Sequence, residues 1–330
     1  MNNLQLLSIG DATLDVFLEP TEHEQFCEVQ SKESFICFTY GDKIPVKHLD
    51  FSVGGNAANN AVGTKRLGVN SALVSTLGDD IVGKMIVEKL HKEEVDLNYV
   101  IMQAHANTNF SNVINYGGER TIFSYHAPRS YEFPVNLPET DWVYLTSMGE
   151  TFQPFYDHFV DWKRQHPNVK LAFNPGSRQL RAGLSTIQPV MELTQIIYVN
   201  KSEAETLTAT EGKDNDMKEL LKALSDLGPK QCIITDGAEG SYVYDGQKFI
   251  HAGILPVDAY ERTGAGDSFG SGCISALIKG KSFEEALLWG TINSASVIGY
   301  VGGQRGLLAE SDMPEWLEKA RSSGVVVEEF

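Results

Sequence analysis

The chain has 330 residues, 42% of them apolar and 22% charged, and a formal net charge of −17. That length allows one large α/β domain or two smaller ones, and so acidic a balance argues against a nucleic-acid binder, which needs a basic stripe. No basic leader with an apolar stretch opens the chain, no run approaches a membrane span, and Cys27, Cys37, Cys232 and Cys273 form no C-x-x-C pair. Reduced thiols in the cytoplasm are therefore expected.

Leu4 to Ile9 is a short apolar run that stops at Gly10-Asp11 and reads as the first, buried strand of a parallel sheet. Asp15 follows just past the strand's carboxyl end, where open α/β sheets place ligand contacts; a solvated turn acid is the alternative. Residues 19 to 53 read as a small β excursion. Glu22–Phe26, Ser34–Tyr40, Gly41-Asp42 and Ile44-Pro45-Val46 suggest short strands and turns, and Ser34–Tyr40, mostly β-branched and aromatic, with the Gly-Asp turn after it marks a hairpin. The apolar faces of this excursion must be covered by the site or by a second subunit.

Gly54-Gly55-Asn56-Ala57-Ala58-Asn59 comes next, with an alanine-rich helix behind it. The two glycines allow close backbone approach to a ligand. Asn56 and Asn59 share a face at the helix start, and carboxamides both donate and accept, which suits sugar hydroxyls; helix capping is the alternative role. Ala72 to Leu77 is a strand ending at Gly78-Asp79-Asp80. Gly78 to Lys84 fits G-x-x-x-x-G-K, but Met85 stands where a phosphate loop needs Ser or Thr, so a turn into a helix is expected there.

Between Thr108 and Tyr125 the pattern reads as a β-hairpin around Gly117-Gly118. Arg129 follows Pro128 and is a candidate for an anionic substrate group, a surface arginine being the commoner case. Trp142–Leu145, Leu171–Phe173 and Ile196–Val199 read as strands, with a helix over Phe155–Gln165 between the first two and the last strand closing on Asn200. Asn200 and Glu203 open the next helix and can face one crevice. One acid and one amide holding a cation through water is typical of Mg²⁺ in phosphoryl-transfer sites, while a capped helix is the plain reading. Gln231 to Thr235 is a strand, and Gly237 and Gly240 after it offer a second backbone cradle.

Glu261-Arg262-Thr263-Gly264-Ala265-Gly266-Asp267 then leads into a helix. Gly264 and Gly266 permit a turn whose N–H groups face an anion, and the helix N-terminus adds donors and a positive dipole end. Asp267 sits at the mouth of that anion site, placed to take a proton from a hydroxyl attacking phosphorus, and it should be ionised at neutral pH. No repeat, linker or composition break divides residues 1 to 330, so one domain is expected.

These stretches together resemble the ribokinase-like (PfkB) carbohydrate kinases over nearly the whole chain. The specific motifs are Gly54-Gly55-x-x-x-Asn59 and Thr263-Gly264-Ala265-Gly266-Asp267; Gly10 to Asp15, Asn200-x-x-Glu203 and Thr235-x-Gly237-x-x-Gly240 support them. The resemblance implies a three-layer α/β sandwich with a mostly parallel sheet and a small β lid built from about 16–53 and 108–125, which in this family often forms a homodimer contact. It implies a sugar touched by Asp15, Gly54, Gly55, Asn56 and Asn59. ATP is implied near Thr235, Gly237, Gly240, Thr263 and Asn293, with Mg²⁺ near Asn200 and Glu203. Asp267 is implied as general base, with Gly264, Ala265 and Gly266 as the anion hole.

Two departures limit what carries over. Glu261 and Arg262 stand where the family usually has Asp and a small residue, and that acid helps many members hold a monovalent cation, so activation by K⁺ stays open. Asn56 stands where ribokinases proper have lysine, so ribose is not assumed, and Asn174-Pro175-Gly176 replaces the Asp-Pro-Asn of several hexose and ketogluconate kinases. A primary hydroxyl of a small sugar is the expected acceptor. A nucleoside, with Phe17, Phe38 or Phe110 as a shelf for its base, is the nearest alternative, and a non-catalytic sugar-binding protein a more distant one.

Overall fold

The computed structural model describes residues 4–21, 29–30, 33–34, 36–116, 119–212 and 216–330. The strands are β1 Leu6–Ile9, β2 Thr13–Pro20, β3 Val29–Gln30, β4 Glu33–Ser34, β5 Val46–Gly54, β6 Ser71–Gly78, β7 Asp96–Gln103 and β8 Phe110–Tyr116. They continue with β9 Glu119–Tyr125, β10 Trp142–Leu145, β11 Lys170–Phe173, β12 Ile196–Asn200, β13 Gln231–Thr235, β14 Ser241–Tyr244, β15 Phe249–Ala252 and β16 Val327–Glu329. The helices used below are α1 Asn56–Arg66, α2 Ile81–Lys92, α3 Gln153–Gln165, α4 Ser177–Arg181, α5 Leu184–Met191, α6 Lys201–Thr208, α7 Met217–Asp226, α8 Ala265–Ile278, α9 Phe283–Val297 and α10 Met313–Ser322.

A ten-stranded sheet runs β16-β15-β14-β13-β12-β11-β10-β1-β6-β7, parallel from β7 through β13 and antiparallel beyond. Its central strands are apolar on both faces because both are covered by helices. Leu7, Ile9, Val143, Leu145, Leu171 and Phe173 pack on one side with the apolar residues of α3, α5 and α7. Leu6, Trp142, Tyr144, Ala172 and Tyr198 alternate to the other side, against α8, α9 and α10. The chain leaves β1 towards β6 on one flank and returns at β10 on the other, so strand order reverses at β1. Open α/β sheets bind ligands beyond the carboxyl ends of their strands at such a point.

A second, four-stranded sheet has the order β5-β2-β8-β9. By register, Asp15, Ser52, Ser111 and Ser124 share one face with Phe17, Asp50, Val113 and Ile122 and with Asn115 and Arg120. Leu49, Phe51, Phe123 and Tyr125 lie on the other face, where they are exposed. The expected excursion and hairpin are therefore two halves of one sheet. Among the described residues of the region read as a strand over Ser34–Tyr40, only Ser34 is in a strand, the two-residue β4 paired with Val29–Gln30; residues 36–39 carry no strand, and Gly41 turns the chain at positive φ. Glu22–Phe26 and the Gly117-Gly118 turn lie outside the described residues. Gly78–Lys84 is a turn into α2, where Asp80 caps the helix by accepting from Gly83 N at 2.7 Å.

Candidate active site

Three chain segments bring the polar groups together beyond the sheet's carboxyl edge. β5 runs directly into α1 through Gly54-Gly55, and Gly55 takes φ 89°, with Asp11 and Ala12 backbone filling the space a side chain would need. This turn sets Asn56 and Asn59 at the start of α1. β12 ends in Asn200, and the loop before α8 ends in Gly264, whose φ is 78°. A Cβ on Gly264 would overlap the Gly303 backbone, so the two loops meet main chain to main chain.

Asn56, Asn174, Tyr198, Asn200, Glu203, Thr235, Gly266 and Asp267 line one cavity of about 180 Å³. Asp267 is in the first turn of α8, and its Oδ2 accepts a 2.7 Å hydrogen bond from Asn59 Nδ2. Asn59 Oδ1 in turn accepts from Gln304 Nε2 at 3.0 Å, so the amide is fixed in orientation. Burial raises the Asp267 carboxyl to about 6, and the Asn59 bond partly offsets that shift. Of the opening N–H groups of α8, that of Ala265 donates to Arg262 O at 3.3 Å, while Gly266 and Asp267, next along the turn, line the cavity.

Asp15 reaches the site from β2. Its pKa is also raised to about 6, chiefly by burial; a Ser111 hydrogen bond opposes this, and the charges of Glu261 and Asp267 add to it. Any side chain on Gly54 would collide with the Asp15 carboxylate, so this glycine makes room for an acid. Across the cavity, Asn200 and Glu203 form a reciprocal capping box, each side chain bonding the other's backbone N–H at 2.9 Å. Glu203 is nonetheless raised by burial and by the charge of Asp267. Two carboxylates that repel across a polar cavity suit a bound cation, which would relieve both.

Sequence comparison relates the chain to known proteins. The family model described as pfkB family carbohydrate kinase matches residues 23–310. The chain belongs to that family. An ATP-dependent 6-phosphofructokinase of Thermoanaerobacterium thermosaccharolyticum is 28% identical over 275 residues, covering 80% of this chain and 84% of that protein. A nucleoside kinase of Methanocaldococcus jannaschii is also 28% identical over 275 residues, covering 81% and 86%. Arabidopsis thaliana ribokinase, solved with ribose and ATP, superposes with a TM-score of 0.76 at 22% identity, over 96% of this chain and 99% of that one. The fold is that of the ribokinase-like kinases, and the protein is an enzyme of the carbohydrate and nucleoside kinase class.

Within this pfkB-family frame several expectations need correction. Asn293, expected beside the nucleotide, is fully buried: its Nδ2 donates to Ser268 O at 2.7 Å and Ser271 Oγ at 3.1 Å, and its Oδ1 accepts from Leu308 N at 2.9 Å. It ties α8 to α9 and has no polar atom left for a ligand. Arg129, expected to meet a substrate anion or lie on the surface, does neither. Its guanidinium is buried and donates to Thr76 O, to Asn109 Oδ1 at 2.8 Å and to Asn107 O at 3.3 Å. Gly240, at φ 92°, lies tightly against the Ala252 backbone, and this packing accounts for it without a ligand; Gly237, at φ 54°, faces open space, and Thr235 lines the cavity. Thr263 donates from both N and Oγ1 to Glu261 Oε1.

Of the groups beneath the anion turn, sequence reading marked Asn174 only as a departure from relatives and did not single out Tyr198. Tyr198 donates its hydroxyl to Gly266 O at 2.9 Å, and Asn174 Nδ2 donates to Tyr198 O at 2.7 Å. Asn174 Oδ1 accepts from Thr146 Oγ1 at 3.1 Å and from Asn56 Nδ2 at 3.5 Å. The available signal was position: Asn174 directly follows β11, at the strand edge where ligand contacts gather.

Proposed function

We propose that this chain transfers the γ-phosphoryl group of ATP to a primary hydroxyl of a small sugar. The observation that carries the reading is the Asp267 carboxylate, held by Asn59 at the opening of α8 in a cavity shared with Asn56 and Glu203. Phosphoryl transfer asks chiefly for positioning and charge stabilisation. The acceptor hydroxyl gives its proton to Asp267 as its oxygen bonds to phosphorus, and the phosphorus–oxygen bond to ADP breaks. The Gly264-Ala265-Gly266 turn and the first N–H groups of α8 stabilise charge on the moving group, which a helix N-terminus favours. Asp15, Gly54, Gly55, Asn56 and Asn59 hold the sugar. Thr235 and Gly237 line the nucleotide's side.

ATP and Mg²⁺ are the co-reactants used by this family. Asn200 and Glu203 would hold Mg²⁺ through water, and the mutual repulsion of Glu203 and Asp267 supports a cation there. The metal neutralises phosphate charge. Residues 1–330 form one kinase domain whose four-stranded sheet is the lid. The exposed apolar face at Leu49, Phe51, Phe123 and Tyr125 supports a homodimer through that lid. Among the described residues no helix is long and apolar enough to cross a membrane, and Cys37, Cys232 and Cys273 are free, in keeping with the cytoplasm; Cys27 lies outside the described residues.

ATP consumption across a panel of pentoses, hexoses, sugar phosphates and nucleosides tests this reading. A sugar turned over by the native protein and not by Asp267→Asn is the expected result. Turnover of nucleosides alone would move the assignment to a nucleoside kinase. Tight sugar binding with no ATP turnover would sink it.

A further inference from the structure

Glu261 is the one acid of the anion-turn motif that departs from the family pattern, and its surroundings are unusual for a surface loop. Its side chain is only 6% exposed. Oε1 accepts from Thr263 N at 3.0 Å, from Thr263 Oγ1 and from Arg120 Nη1 at 3.2 Å, while Oε2 accepts from Gly302 N at 3.0 Å. The backbone of Glu261 is anchored separately, because Tyr260 N and Glu261 N both donate to Ile298 O. One carboxylate therefore shapes the start of the anion turn and also holds the 302–303 loop, which lies directly against Gly264.

The cation in this cluster arrives from elsewhere. Arg120 is on β9 of the small sheet, and by register it projects from the same face as Asp15. A buried carboxylate without a countercharge is strongly disfavoured. The countercharge that faces the Glu261 carboxylate beneath the turn thus comes from the small sheet, 141 residues away in sequence.

We propose that Arg120 is a positioning residue for the transfer. Through Glu261 it makes the shape of the Thr263–Gly266 turn depend on the docked position of the small sheet. When the sheet lies over the site, Arg120 completes the Glu261 cluster and the turn is held in its anion-binding form. When the sheet moves away, Glu261 loses its countercharge, and Thr263 and Gly302 lose a fixed acceptor. The turn is then competent only while the acceptor is covered, which favours phosphoryl transfer to the sugar over transfer to water.

This inference rests on the kinase reading, so its test has one arm without catalysis. Amide hydrogen exchange in the ligand-free full chain compares native protein with Arg120→Ala and Arg120→Lys. Exchange at Thr263 and Gly302 is expected to rise about tenfold in Arg120→Ala, with α3 unchanged. With the sugar found in the panel, Arg120→Ala should lower kcat about 10- to 100-fold while KM for the sugar stays within about threefold. It should also raise the ratio of ATP hydrolysed to sugar phosphorylated. Arg120→Lys, or free guanidinium added to Arg120→Ala, should restore part of the rate. Native exchange at Thr263 and Gly302 in Arg120→Ala overturns the inference whatever the activity, and so does a kcat within about twofold of native. If no acceptor is turned over even by the native chain, the kinase reading fails, and the exchange arm alone decides the linkage.

Discussion

Asn59 and Asp267 are 208 residues apart in the chain, yet Asn59 Nδ2 donates to Asp267 Oδ2 at 2.7 Å. The amide joins the first turn of α1 to the first turn of α8, and Gln304 fixes which end of it faces the acid. The sequence motifs that carry the family resemblance are thus in direct contact across the site. Asn59, expected to touch sugar, also orients the group expected to take the proton.

Asp267→Asn keeps a side chain of the same shape and an oxygen able to accept from Asn59. Its kcat should fall about 10²- to 10⁴-fold, as for loss of a general base, with sugar affinity nearly unchanged by calorimetry. Near-native turnover would remove Asp267 from the chemistry.

Asp15 and Asp267 are both raised to about 6, chiefly by burial, and the charge of Asp267 adds to the shift of Asp15. If both must be ionised, log kcat/KM should fall below pH 6 with a slope steeper than one, the pair titrating together. In Asp15→Asn the residual activity should fall with a slope of one. A flat profile from pH 5 to 8 would contradict both raised values.

The same shift acts on stability with a definite sign. A carboxyl whose folded pKa exceeds its unfolded value favours the fold when protonated, so that contribution is present below about pH 4 and lost as pH rises through about 6. Asp15→Asn should therefore be more stable than native at pH 8, by on the order of 2 kcal/mol, and equal to it near pH 4. Urea denaturation at the two pH values measures this.

Gly264→Ala meets two obstacles at once. The residue must hold φ 78°, and its new methyl would overlap the Gly303 backbone. A loss of at least ~1–2 kcal/mol in stability is expected from the dihedral alone, together with a collapse in kcat. A stable, active variant would mean that the two loops are not in contact during turnover.

Both oxygens of Glu261 already accept hydrogen bonds, and a guanidinium stands beside one of them. Rates in K⁺ and in Na⁺ should therefore agree within about twofold. Strong activation by K⁺ would show that the cluster opens to admit a cation.

Much of the fold was legible because local signals agreed. Apolar runs ending in Gly or Asn marked the parallel strands. The helix after Gly264 was legible as well. The failures came where a polar residue's partner lies far away in sequence. Nothing local distinguishes Asn293, bonded to Ser268, Ser271 and Leu308, from an amide waiting for a nucleotide. Arg129 followed by a loop looks like a surface cation until the Thr76 and Asn107 carbonyls it serves are in place. Glu261 was visible as a departure, but its meaning depended on Arg120, which the sequence presented only as a hairpin residue. Asn200 and Glu203 form the capping box of the plain reading and also line the cavity.

β5 has no loop between itself and the site: its last residue is Gly54, and α1 begins at Asn56. A nine-residue strand extends roughly 30 Å, so a rotation of about 5° at Gly54-Gly55 would carry its far end roughly 2.5 Å. The glycine pair is thus a fulcrum with a long outer arm and a short inner one ending at Asn56. Contacts made at the distant rim of the small sheet, by a second subunit or by crowding, would reach the acceptor pocket as motions several-fold smaller and correspondingly stiffer.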